Sequence, residues 1–168
     1  DEARVEHLQD LASVWGLLAD LSFAALLLSA RKPTGSDRAL VLLGHMRPTT
    51  GTTLYRAALV GQVFEPRRRP LIVEAVETDE AVEGIVDVGS DRSVHVTAVP
   101  VRRHGETIAV LARERLQPAD RPGSEQERTY LTVFDRFARM LERGEFPYHD
   151  EERLRHRTPR VGDCLLYT

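Results

Sequence analysis

The stretch WGLLADLSFAALLL, from Trp15 to Leu28, is the most apolar run in the chain, and its length limits what the chain can become. A membrane-spanning helix needs about 20 apolar residues, whereas runs of about 10–14 belong to buried cores or to signal-peptide cores. Asp20 and Ser22 interrupt this run, and Asp1, Glu2, Glu6 and Asp10 precede it, where a signal peptide would carry basic residues. The run therefore reads as the interior of a folded domain, with no membrane role. Two readings of it stay open: a single element, or a helix ending near Asp20 followed by a strand beginning near Phe23.

Around this segment, Val5, Leu8, Ala12 and Trp15 recur at helical spacing and predict an amphipathic helix over residues 3–19. Residues 23–30 and 39–47 read as strands joined by the turn Lys32-Pro33-Thr34-Gly35-Ser36. A Pro/Thr/Gly loop, Pro48 to Thr53, leads to a predicted strand over residues 54–58. Residues 65–90 hold Arg67-Arg68-Arg69 between prolines and an acidic run from Glu74 to Glu83, which predicts loops and one short helix. The β-branched runs SVHVTAVPVR and ETIAVLARE flank Arg103-His104-Gly105, the pattern of a hairpin. Pro100 has no N–H to give a ladder, so it belongs at an edge or a bulge.

Ser124 and Glu127 form a capping-box pattern, Tyr130, Phe134, Phe137 and Leu141 share a helical face, and Gly144 stands where a left-handed cap would end the helix. The order helix, strands, loops, strands, helix predicts an α+β fold, an antiparallel sheet packed by N- and C-terminal helices. This domain would occupy residues 1–146. Residues 147–168 read as a charged linker whose last residues, Cys164 to Thr168, begin the first strand of a following domain.

The hairpin TAVPVRRHGETIAVLARE with the helix SEQERTYLTVFDRFARML resembles the C-terminal half of a GAF domain. The stretches WGLLADLSFAALLL, RPTTGTT with YRAALVGQVF, and GEFP to TPRVGD sharpen this: together they resemble the N-terminal sensor domain of actinobacterial cytoplasmic histidine kinases of the PdtaS type. The likeness covers nearly the whole chain and is weakest over residues 65–92. It implies a cytoplasmic homodimer in which a PAS domain follows the GAF-like fold, then a phosphoacceptor-histidine region and a kinase domain that uses ATP and Mg. A cognate response regulator would be the downstream partner.

The chain's own chemistry points to sensing rather than catalysis. It has no Gly-rich phosphate loop, no Asn- and Gly-rich boxes of a kinase ATP domain, and no nucleophile paired with a base, so no catalytic residue and no cofactor is expected within it. His95 and His156 lack the acidic, helical setting of a phosphoacceptor, and the single cysteine, Cys164, excludes a disulfide framework. No pair of histidines has a metal-ligand spacing, although His45 and His95 would meet if their strands were neighbours. A net charge of −3 with interspersed signs makes nucleic acid a poor partner.

A small-molecule signal would bind between a sheet face and the loops crossing it. Strand alternation places Val41, Leu43, His45 and Arg47 on one face. Arg47, Tyr55, His95, His45 and Thr50 are the candidates to contact a ligand, with Thr49 and Thr52 adding hydroxyls. The plain alternative is a solvated Arg47, a core Tyr55 and an ordinary turn. Two further function classes compete with a sensor: a dimerisation module without ligand, and a small-molecule enzyme that would turn over substrate by itself.

Overall fold

The computed structural model describes residues 2–32, 39–49, 54–55, 57, 59–88, 92–116 and 124–146. Among these the chain forms α1 (Glu2–Ser13), α2 (Trp15–Ser22), β1 (Ala25–Arg31), β2 (Leu40–Met46), β3 (Val63–Phe64), a 3-10 turn (Pro66–Arg68), α3 (Pro70–Thr78), β4 (Val82–Asp87), β5 (Ser93–Arg103), β6 (Glu106–Leu116) and α4 (Glu125–Arg143). The six strands make one sheet in the order β3-β2-β1-β6-β5-β4, every neighbour antiparallel. The expected α+β architecture is present.

Strand alternation divides the core in two. Leu26 and Leu28 of β1, Val99 and Val101 of β5 and Leu111 of β6 face α1, α2 and α4, where they pack on Leu11, Trp15, Leu18, Phe134 and Leu141. Their neighbours Leu27, Val94, Val96, Val110 and Ala112 face the other way, against Ile72 and Ala75 of α3. The central strand β1 has helices over both faces, which explains why its sequence is a continuous apolar run instead of an alternating one. The opening stretch is thus two elements. Phe23, at φ 49°, is the left-handed C-cap of α2, and its N–H and that of Ala24 bond the carbonyls of Asp20 and Ala19.

The first helix departs from expectation in two ways. It breaks at Val14 (φ −105°, ψ 1°), and its buried residues are His7 and Leu11, continued by Trp15 and Leu18, whereas Val5 is 53% exposed. The series 7, 11, 15, 18 has helical spacing as good as the predicted one, but it includes a histidine and so escapes an apolar count. None of the described residues within 54–58 is in a strand. A strand over 82–87 was not expected either. Its sequence, VEGIVD, carries Glu and Asp because β4 is an edge whose alternate residues point to solvent, while Gly84 faces inward against Leu71.

The hairpin and the final helix match expectation closely. The β4 ladder ends at Val82↔Ala98, so Pro100 pairs on one side only, with Val110 of β6. The Glu127 N–H bonds Ser124 Oγ at 3.1 Å, and Gly144, at φ 70°, closes α4.

Candidate functional site

A bulge in β2 decides which side chains reach the α3 face of the sheet. Leu28 pairs with Gly44 but Ser29 pairs with Leu42, so Leu43 is skipped and alternation reverses there. His45 consequently shares a face with Leu40 and Leu42, opposite Leu27, and not with Val41 and Leu43 as strict alternation predicts. Its ring meets the edge of Tyr55 at 5.5 Å between centroids.

Tyr55 leads to the polar centre of this face. Its hydroxyl donates to Glu114 Oε2, and Arg69 Nη1 donates to Glu114 Oε1, so both carboxylate oxygens are occupied. The Arg69 guanidinium lies over the rings of Phe64 (5.1 Å) and Tyr55 (5.5 Å). Glu114 is 2% exposed. Burial pushes its carboxyl up, while Arg69 and the Tyr55 hydrogen bond pull it down. Burial and the adjacent Glu114 raise the Tyr55 phenol, which keeps it a proton donor. His45 is lowered by burial, then by Arg47 and Arg69, and so favours the neutral imidazole.

Between this centre and α3 lies a cavity of about 220 Å³. Phe64, Leu71, Ile72, Val86, Val94 and Val96 give it apolar walls, and Tyr55, Arg68, Arg69 and Glu114 give it polar groups. Apolar walls with a few convergent polar groups suit a small organic ligand. The arrangement can bind and orient; among the described residues no cysteine, serine or histidine lines it. Among the described residues no group of three or more His, Cys, Asp or Glu is placed to hold a metal.

The sequence candidates divide between the two faces. Tyr55 lines the cavity and His45 packs behind it. Arg47 is exposed beyond the end of β2 and does not line it. Thr49 turns away, its N–H and hydroxyl both bonded to Asp20 Oδ1, at 2.7 and 2.8 Å. His95 is on the α4 face, 3.0 Å from Glu83. Since β1 and β6 separate β2 from β5, His45 and His95 do not meet. Thr50, Thr52, His156 and Cys164 lie outside the described residues.

Glu114 was missed, and Arg69 was weighed only as part of a tribasic loop that could meet an anionic ligand but reads as exposed. Glu114 had a legible signal, because it continues the inward series Val110, Ala112, 114 along β6. Arg69 was hidden in a tribasic run whose other members are solvated. Arg67 is exposed and paired with Glu65, whereas the Arg69 side chain is 15% exposed.

An antiparallel sheet with terminal helices on one face and a short helix over a small-molecule-sized cavity on the other defines a GAF-type sensor domain. Comparison with known proteins gives the particular family. The model of the GAF domain of histidine kinase PdtaS matches residues 1–133. The sensor histidine kinase PdtaS of Mycolicibacterium smegmatis is 33% identical over 171 aligned positions, which take in 96% of this chain and 33% of the relative. That of Mycobacterium tuberculosis is 32% identical, with 96% and 33% covered. A solved sensor region of a sensor histidine kinase superposes with a TM-score of 0.67 at 30% identity, over 97% of this chain and 54% of that one. The chain belongs to the PdtaS GAF-domain family, and it spans 33% of the length of these curated relatives. No helix among the described residues is long and apolar enough to cross a membrane.

Proposed function

We propose that this domain is the non-catalytic sensory input of a cytoplasmic two-component histidine kinase, and that a small molecule bound under α3 tunes autophosphorylation. The cavity of about 220 Å³ over the Arg69–Glu114–Tyr55 centre carries this reading. A sheet face sealed by side chains would have favoured a dimerisation module without ligand. In the whole protein the domain acts as part of a homodimer, ahead of PAS and kinase domains of the same chain. Those kinase domains use ATP and Mg to phosphorylate a histidine and pass the phosphoryl group to a response regulator.

A ligand shifts such a dimer between two arrangements only if it binds one of them more tightly. The test is ATP-dependent autophosphorylation of the full-length parent with and without residues 1–146. A changed basal rate or signal response is expected. Intact phosphorylation with neither changed would favour the dimerisation module, and no phosphorylation from either form would overturn the kinase assignment.

A further inference from the structure

The face of the sheet under α4 holds a buried charge that no carboxylate among the described residues contacts directly. Arg113 of β6 is 6% exposed, yet among the described residues it makes no ion pair. Its Nη2 donates to the Ser22 carbonyl at 3.0 Å, its guanidinium lies 5.5 Å from the centre of the Phe134 ring, and its Nε has no partner. Buried ions are normally paired, because the cost of removing them from water is otherwise not offset.

A cavity of about 300 Å³ opens beside this guanidinium. Arg113 and Arg115 of β6 contribute its positive charge, Glu83 of β4 and Asp135 of α4 its negative charge. The strand register sets Glu83, Thr97 and Arg113 in one row across β4, β5 and β6. The hydroxyl of Thr97 therefore stands between a carboxylate and a guanidinium. Two rim pairs hold the walls, His95 with Glu83 at 3.0 Å and Arg115 with Glu127.

This lining discriminates by charge. A simple anion near Arg113 meets Glu83 and Asp135, and a simple cation near those carboxylates meets Arg113 and Arg115. A molecule with both charges, its carboxylate toward Arg113 and its ammonium toward Glu83 and Asp135, satisfies each end. We propose that the cavity between the β4–β5–β6 sheet and α4 is a binding site for a small zwitterion of the α-amino-acid class. Burial lowers the Arg113 guanidinium to about 10, with Arg115 adding to the effect and Asp135, Glu83 and Glu127 opposing it. It stays charged at neutral pH, ready for a carboxylate. The site lies across the sheet from the α3 cavity and does not depend on the reading of that cavity.

The experiment is calorimetric titration of the 168-residue chain with each of the common L-α-amino acids. For any that binds, the amine lacking its carboxylate and the acid lacking its ammonium follow. Saturable binding by at least one amino acid is expected, weaker by about tenfold or more for each half-molecule. Asp135→Asn and Glu83→Gln alter exposed side chains and keep the fold; each should weaken binding by about tenfold. Arg113→Gln should abolish it, read only if the melting transition survives. Failure of every amino acid to bind overturns the proposal. So does equal binding of either half-molecule, or undiminished binding by Asp135→Asn and Glu83→Gln.

Discussion

At the residue scale, the Glu114–Arg69 pair tests how a buried polar centre is held. The Glu114 side chain is 1% exposed and that of Arg69 15%, so solvent screens neither. Glu114→Gln keeps the shape but strands the Arg69 charge, which should cost about 3–5 kcal/mol in urea unfolding. The apolar double replacement Glu114→Leu with Arg69→Met should recover most of that loss, because it removes both desolvated charges. A cost for Glu114→Gln within error of zero would show that the pair is not the centre of this face. Gly44 carries a second prediction. A Cβ there would stand 2.5 and 2.6 Å from two Trp15 ring carbons, so α2 lies on the bare backbone of β2. Gly44→Ala should cost about 1–3 kcal/mol by overpacking. Trp15 is the only tryptophan, so its fluorescence should shift with the substitution, and an unchanged spectrum and stability would contradict that contact.

At the element scale, α3 is pinned by its C-cap residue. Asp79, at φ 58°, accepts from Thr107 Oγ1, and its carboxylate bonds Arg102 Nε at 3.3 Å and lies 3.0 Å from Nη2, tying the helix end to the β5–β6 hairpin. The Thr107 hydrogen bond is the largest effect; burial opposes it, and with the hydrogen bond and charge of Arg102 added the carboxyl is held below the usual value of 3.8. A depressed carboxylate stabilises the fold above its unfolded pKa, and that contribution is lost as pH falls from 3.8 through the folded value. Asp79→Asn keeps the left-handed cap, which Asn also tolerates. It should lower stability at neutral pH and flatten the acid limb of the stability curve; an unaltered acid limb would exclude the pin. Contacts of this kind explain what the sequence showed and what it hid. The capping box, Gly144 and the β5–β6 hairpin are short-range patterns and were legible. The bulge at Leu43, the break at Val14 and the pairing of Arg69 with Glu114, across 45 positions of sequence, arise from tertiary packing that no local window contains. Of the candidate residues, Tyr55 and His45 lie on the α3 face, His45 only because the bulge at Leu43 reverses the alternation that grouped it with Val41 and Leu43, and His95 lies on the α4 face, which strand order and register decide and periodicity does not show.

At the scale of the whole molecule, the two covers of the sheet are unequal. One face is closed by α1, α2 and α4, with Trp15 and Phe134 buried among leucines. The other is closed by the nine-residue α3, which buries Ile72 and Ala75, and by partly buried residues such as Leu54, Tyr55 and Phe64. An isolated helix shorter than about 12–15 residues is marginal in water, so α3 depends on this thin packing and on its Asp79 tie. Opening of the α3 layer should therefore require less free energy than unfolding the sheet. The cavity of about 220 Å³ lies in that weaker layer, where ligand entry needs the least disruption of the core. Native-state hydrogen exchange of the chain should show the slowest amides in β1 and β6, which lie inside the sheet with both faces covered. The two-residue edge strand β3 and the amides of α3 should exchange faster, through openings that leave β1 and β6 intact. Equal protection of α3, β1 and β6 would mean that the molecule opens only as a whole, and that the ligand-sized cavity is gated by no separable layer.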